Sequence, residues 1–220
     1  MEGISKYIDH TLLSASCGRK EIMRICDEAR EYDFHSVCVN LFYVPDCYEA
    51  LKNSNVKVCA VVGFPLGQST GLIKAKEAEA AVRQGAGEID MVLNVAALKD
   101  GRHDVALSEI RDVRSAIGKD VYLKVILECC LLDDDEKRKA CALSVEGGAD
   151  CVKTSTGFSL SGAKVEDVAL MRKEVGKGFG VKASGGIRDF KTFISMIEAG
   201  ADRVGCSASV AIANEAKLAK

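Results

Sequence analysis

Short runs of β-branched and apolar residues recur along the chain, separated by longer amphipathic stretches. The runs fall at Ser36–Asn40, Val56–Val62, Glu88–Asn94, Tyr122–Glu128, Cys151–Thr154, Gly180–Ala183 and Arg203–Cys206, lengths that suit buried strands better than helices. Between them the spacing is helical: Ile22, Ile25, Cys26 and Ala29 stand at i, i+3, i+4 and i+7, and Phe190, Phe193, Ile194 and Ile197 repeat the pattern after Asp189, a candidate N-cap. Glycines stand just ahead of several strands (Gly85 and Gly87, Gly147 and Gly148, Gly200), where a left-handed stop lets a helix turn quickly into a strand.

Asp9–Leu13 supplies an eighth strand, so the alternation predicts an α/β protein built as a closed (β/α)8 TIM barrel, with an open doubly wound sheet as the alternative. The chain shows no linker or low-complexity tract, and its two prolines, Pro45 and Pro65, mark no boundary. A single domain over residues 1–220 is expected, and 48% apolar content is enough for one sizeable core.

Charge narrows the partners. The 30 Lys and Arg against 32 Asp and Glu are interspersed, leaving no basic stripe for nucleic acid or an anionic membrane. The first ten residues, MEGISKYIDH, lack an apolar signal core, and no apolar run reaches the ~18 residues that a membrane span needs, so a cytoplasmic protein is expected. The ten cysteines lie in apolar runs or helical stretches without a C-x-x-C pair, which reads as small core residues in a reducing compartment. Three histidines, His10, His35 and His103, none four residues from another, make a His-based metal site or a Ser-His-Asp triad hard to assemble.

The chemistry has to come from other residues. In a barrel of this kind catalytic groups sit at the C-terminal ends of strands, and alternate strand residues point inward. That parity puts Asp90, Val92 and Asn94 on one face, Lys124, Ile126 and Glu128 on another, Cys151 with Lys153, and Lys182 with Ser184. Three lysines and two carboxylates are thus expected to converge. One buried lysine is explained as well by a salt bridge as by catalysis. With two on neighbouring strands, one ammonium disfavours the charge of the other and leaves part of it as free amine, a nucleophile toward carbonyls. Glycine-rich turns follow: Thr156-Gly157, Ser184-Gly185-Gly186 and Gly205-Cys206-Ser207. Their backbone N–H groups stand where barrels commonly hold a phosphate.

Five segments carry a more specific resemblance: IDHTLL (Ile8–Leu13), VVGFPLG (Val61–Gly67), EIDMVLN (Glu88–Asn94), VKTSTGF (Val152–Phe158) and VKASGGIR (Val181–Arg188). Together they closely resemble the deoxyribose-phosphate aldolases. The resemblance implies a class I aldolase, without metal or cofactor, that reversibly cleaves 2-deoxy-D-ribose 5-phosphate to acetaldehyde and D-glyceraldehyde 3-phosphate. It implies that Lys153 forms the Schiff base, that Lys182 is the neighbour keeping it partly deprotonated, and that Asp90 with a water moves protons. Gly157, Gly185, Gly186, Arg188, Gly205 and Ser207 fall where the family binds the phosphate, with Lys124, Cys38 and Asp9 in support. A small apolar pocket near Leu12, Cys38 and Val62 is expected to admit acetaldehyde and reject dihydroxyacetone. The partners implied are the sugar phosphate and acetaldehyde, with a homodimer or homotetramer as the assembly.

The sequence departs from the family at Leu41, commonly Pro, at Cys129-Cys130, and at Ala208, commonly a second serine, whose loss removes one donor from the phosphate site. Many members carry a C-terminal tail ending in Tyr, whereas here the last residue is Lys220 and the last tyrosine Tyr122. Either the sequence is shortened or enamine protonation relies on Asp90 and water. Two rival readings remain: a lysine aldolase or transaldolase with a different donor, and a catalytically silent sugar-phosphate binder.

Overall fold

A strand buried on both faces needs apolar or β-branched residues throughout, which is why these runs are short and nearly continuous. The computed structural model describes residues 3–219. Its strands are β1 (Ile8–Leu12), β2 (Ser36–Val39), β3 (Lys57–Val62), β4 (Glu88–Val92), β5 (Tyr122–Ile126), β6 (Cys151–Lys153), β7 (Gly180–Ser184) and β8 (Arg203–Cys206). All neighbours pair in parallel in chain order, and β8 returns to β1 with Ile8 opposite Val204 and Asp9 opposite Gly205. The sheet is therefore a closed barrel, and the doubly wound alternative is excluded.

The helices around it are α1 (Arg19–Glu31), α2 (Val44–Leu51), α3 (Gly71–Arg83), α4 (Val95–Lys99), α5 (His103–Ile117), α6 (Asp134–Glu146), α7 (Val165–Val175), α8 (Phe190–Glu198) and α9 (Ser209–Leu218). Helix α1 buries Ile22, Ile25, Cys26 and Ala29, the residues its spacing marks. Asp189 caps α8, accepting the Thr192 N–H at 2.7 Å, but the fully covered residues there are Phe193 and Met196, while Phe190, Ile194 and Ile197 are only partly covered.

The glycine stops divide into two kinds. Gly85, Gly148 and Gly200 are left-handed, with φ of 108°, 80° and 111°. Gly147 remains helical at φ −74°, and its smallness serves packing: a Cβ there would lie 2.5 Å from Ile110 Cγ2. Gly87 is not left-handed either.

Strand ends come earlier than the apolar runs suggest. Asn94 lies past β4 and caps α4, its Oδ1 accepting the Ala97 N–H at 3.1 Å. Glu128 lies past β5 in a left-handed conformation, φ 58°, so it does not continue the face of Lys124. Two apolar regions result. One fills the layer between barrel and helices; the other, inside, is Leu13, Cys38, Cys59 and Val61 with Phe64 against it. Val62, expected beside the aldehyde, belongs to the outer layer. The inward β3 residue is Val61, because adjacent strand residues face opposite ways.

Candidate active site

Lysine on a barrel strand is stable only if its ammonium finds carboxylates, and here three converge on one. Lys124 Nζ lies 2.8 Å from Asp90 Oδ1, while Lys153 Nζ and Lys182 Nζ lie 2.9 and 2.8 Å from Oδ2. Asp90, Lys124 and Lys182 are fully buried, and Lys153 is 2% exposed. The strand pairing makes this possible: Asp90 stands opposite Lys124, and Lys153 opposite Lys182.

Two further carboxylates complete the set. Asp9 Oδ2 contacts Lys182 Nζ at 2.5 Å, and Glu88 Oε2 contacts Lys124 Nζ at 2.7 Å. Arg203 bridges the two acids, pairing with Asp9 Oδ1 and with Glu88 Oε2 at 3.2 Å. Ser36 donates to Asp9 Oδ1 at 2.6 Å, and His35 Nε2 meets Glu88 Oε1 at 2.8 Å. The second carboxylate expected in the cluster, Glu128, is absent from it. Glu128 instead accepts the Thr156 N–H at 3.2 Å and the Thr156 hydroxyl. Glu88 and Arg203 escaped the sequence reading because each opens its strand, where a charged residue ordinarily faces water.

Electrostatics follow from this geometry. Burial raises the Asp90 pKa, but Lys124, Lys153 and Lys182 outweigh it and hold the carboxyl well below the usual range. Burial opposes the charge of Lys182, yet Asp9 and Asp90 overcome it and keep its pKa above the ordinary lysine value. Lys124 is raised in the same way, burial being overcome chiefly by Asp90. Asp9 is lowered, burial being outweighed by Lys182 and Arg203. The charged form of Lys182, the neighbour of Lys153, is thus favoured.

Lys153 lines a cavity of about 420 Å³ together with Gly157, Gly185, Gly186, Arg188, Gly205 and Ser207. The glycines permit close approach. Gly185, at φ 87°, packs against Gly162, where an added Cβ would meet the Gly162 Cα at 2.9 Å; a Cβ on Gly205 would sit 3.0 Å from Lys182 Cε. Arg188 and Ser207 are exposed at the rim. Leu12 and Leu13 line the same cavity, whereas Cys38 is fully buried behind it, its Sγ 4.0 Å from Asp90 Oδ2.

Cys38, Cys59 and Asp90 bring three ligand-type atoms within 4.8 Å of one another. Their carboxylate already bonds three ammonium groups, whose charge opposes a cation there, and Cys59 donates its thiol to Asp90 Oδ1 at 3.1 Å. A serine–histidine–carboxylate set does exist, contrary to expectation: His10 lies 2.9 Å from Ser209 Oγ and 2.7 Å from Glu28 Oε2. Ser209 is fully buried and donates to the Cys206 carbonyl, so no substrate reaches it. Nine of the ten cysteines are buried and Cys130 is partly so, and no described helix is long and apolar enough to cross a membrane.

One lysine amine opens into a cavity of about 420 Å³ while charged neighbours hold it from behind, an arrangement suited to a (β/α)8 enzyme that acts on carbonyl compounds through an amine. Comparison narrows that class. Residues 4–212 match the model of the DeoC/LacD family aldolases, and the chain belongs to this family. It is 57% identical over 214 residues to a deoxyribose-phosphate aldolase of Brevibacillus brevis, covering 97% of this chain and 96% of that one. It is 56% identical over 216 residues to the enzyme of the same name from Caldanaerobacter subterraneus, covering 97% and 94%. Among solved structures, the tetrameric deoxyribose phosphate aldolase of Aeropyrum pernix superposes with a TM-score of 0.90 at 32% identity, covering 97% and 91%.

Proposed function

We propose that the protein is a class I aldolase that reversibly cleaves 2-deoxy-D-ribose 5-phosphate to D-glyceraldehyde 3-phosphate and acetaldehyde through a Schiff base on Lys153. The observation that carries the assignment to Lys153 is its position: of the three lysines on Asp90, it alone lines the cavity.

In the cleavage direction the Lys153 amine adds to the C1 aldehyde of the open-chain sugar, and loss of water gives a protonated imine. The C3 hydroxyl gives up its proton, the C2–C3 bond breaks, and its electron pair moves toward the iminium nitrogen. Glyceraldehyde phosphate leaves and an enamine remains; protonation at C2 and hydrolysis release acetaldehyde. Asp90, with a water, moves these protons, and Lys182 and Lys124 hold its carboxylate in place. Backbone N–H groups of the Gly157, Gly185–Gly186 and Gly205–Ser207 turns cradle the phosphate, with Arg188 at the rim adding charge. The apolar lining of Leu12 and Leu13, backed by Cys38 and Val61 behind it, favours the methyl end of acetaldehyde over a hydroxylated donor. A cytosolic setting, supported by cysteines packed as core side chains, and a homo-oligomer, supported by the Aeropyrum pernix tetramer, belong to the same reading.

The test is to incubate the protein with acetaldehyde, reduce with sodium borohydride and map the adduct by peptide mass spectrometry, with Lys153→Met as control. An ethyl group on Lys153 is the expected result. An unmodified Lys153 in folded protein overturns the assignment.

A further inference from the structure

The ion pairs behind Lys153 form a closed circuit. From Asp90 it runs to Lys182 at 2.8 Å, to Asp9 at 2.5 Å, to Arg203, to Glu88 at 3.2 Å, to Lys124 at 2.7 Å, and back to Asp90 at 2.8 Å. Charges alternate around it, three carboxylates against three cations, so the ring is neutral. Lys153 hangs from it through Asp90 Oδ2 alone. When Lys153 is protonated the buried cluster carries one net positive charge; when it is not, none.

We infer that Arg203 and Glu88, at the end of the barrel opposite the substrate cavity, are positioning residues for the Lys153 reaction: they close the neutral ring that makes the Lys153 proton the one surplus charge. They touch no substrate. Both line a separate recess of about 500 Å³ at the N-terminal ends of the strands, together with His35, Lys57, Asp120 and Asp202. Arg203 acts through Asp9 on Lys182, and Glu88 acts directly on Lys124, the two ring lysines on either side of Asp90. The inference rests on Lys153 being the reactive amine.

Every ring member has two partners in the ring, so removing one charge leaves none unpaired. Glu88→Gln leaves Lys124 on Asp90 and Arg203 on Asp9; Arg203→Met leaves Asp9 on Lys182 and Ser36, and Glu88 on Lys124 and His35. Other groups facing the ring are unchanged in both variants: Cys38 and Cys59 beside Asp90, Tyr122 beneath Lys124 Nζ, and Cys151 at the start of β6. Of these, Cys151 stays a neutral thiol, burial pushing its pKa to about 12.

The experiment is the pH dependence of kcat/KM for 2-deoxyribose 5-phosphate cleavage, whose acid limb reports loss of the free amine. Removing the anion in Glu88→Gln disfavours the Lys153 ammonium and moves the limb to lower pH. Removing the cation in Arg203→Met favours the ammonium and moves it to higher pH. Each displacement is expected to be about half to one pH unit for charges this far apart. Arg203→Lys and the double variant Glu88→Gln/Arg203→Met preserve the charge balance and return the limb to the wild-type position. A purely structural pair lowers kcat/KM without opposite displacements, and that result overturns the inference. Should Arg203→Met not fold, Glu88→Gln decides alone: no displacement, or an upward one, is fatal. The two readings fail separately, since borohydride trapping on the unaltered enzyme tests Lys153 itself.

Discussion

Lys153 and Lys182 share a single oxygen, Asp90 Oδ2, at 2.9 and 2.8 Å. Lys182 has a second carboxylate in Asp9 and a pKa raised above the ordinary lysine value once that pair and Asp90 outweigh its burial. Lys153 has only its share of Asp90 among the described residues. The same residue type on adjacent strands therefore sits in two settings, one held between two carboxylates and the other at the cavity wall.

Replacing Lys182 by Met removes its ammonium and gives Lys153 the Asp90 oxygen to itself. Turnover is expected to fall about 10²-fold or more, because the ammonium form of Lys153 is then favoured and Asp90 loses one of the ion pairs that hold it. What activity remains should need a higher pH. A coupled assay for glyceraldehyde phosphate across pH checks both effects, and a residual profile unmoved on its acid side contradicts the role given to Lys182.

Asp90→Asn leaves three buried ammonium groups around a neutral amide. Breaking buried pairs in this way costs about 3–5 kcal/mol, and turnover should drop roughly 10²–10⁴-fold with the acid–base group gone. Urea denaturation and steady-state kinetics measure the two losses independently. Near-normal turnover by folded protein excludes Asp90 from proton transfer.

How far this centre could be read from the chain depends on where each charge sits in its strand. Lys124, Lys153 and Lys182 stand among apolar neighbours inside a strand, where a charge is conspicuous, and the glycine turns after β6, β7 and β8 mark the cradle. Asp9 came only from the resemblance of IDHTLL to a known family. Glu88 and Arg203 open their strands and look like solvated ends, and only barrel closure sets β4 and β8 facing each other across one interior. Glu128 and Val62 were misplaced for one reason: the two-residue period holds only within a strand and its phase must be known, whereas β5 stops at Ile126 and β3 points Val61 inward.

Gly205 holds open the space beside Lys182, so Gly205→Ala should push the Lys182 side chain, whose Cε would lie 3.0 Å from the new Cβ, with Ser184 Cβ at 3.2 Å. A shift of a few tenths of an ångström in the Lys182 side chain and a crowded phosphate turn should raise KM for the phosphorylated substrate several-fold and lower kcat, with little change in thermal unfolding because so small a shift leaves the ammonium on its carboxylates. A variant that merely unfolds earlier, with unaltered kinetics, contradicts this account.

Acid should unfold the protein through its buried carboxylates. Glu88 is held at about 2, burial being outweighed by Lys124 and the His35 hydrogen bond, against an ordinary 4.5, and Asp9 and Asp90 are lowered too. A carboxylate whose folded-state pKa is depressed contributes stability that is full above its unfolded pKa and is lost as pH falls through the folded one. Stability against urea should therefore hold steady above about pH 5 and fall continuously from there toward pH 2. Glu88→Gln should flatten that decline; an unchanged slope argues that Glu88 binds its proton equally well in the folded and unfolded protein.

Glu128 offers the sharpest separation of binding from chemistry. Its carboxylate accepts the Thr156 N–H at 3.2 Å and the Thr156 hydroxyl, and Thr156 precedes Gly157 in the turn that lines the cavity. Holding an acidic residue at φ 58° costs backbone energy, and the hydrogen bonds it makes there keep the turn in shape. Glu128→Gln keeps the side-chain length but weakens both bonds, by about 1–2 kcal/mol together. If the turn cradles phosphate, KM for 2-deoxyribose 5-phosphate should rise about 5- to 30-fold at that cost, while unphosphorylated 2-deoxyribose, which cannot use the cradle, is cleaved at nearly the unaltered rate. Equal losses on both substrates would place the effect of Glu128 on Lys153 and its neighbours instead of on the phosphate.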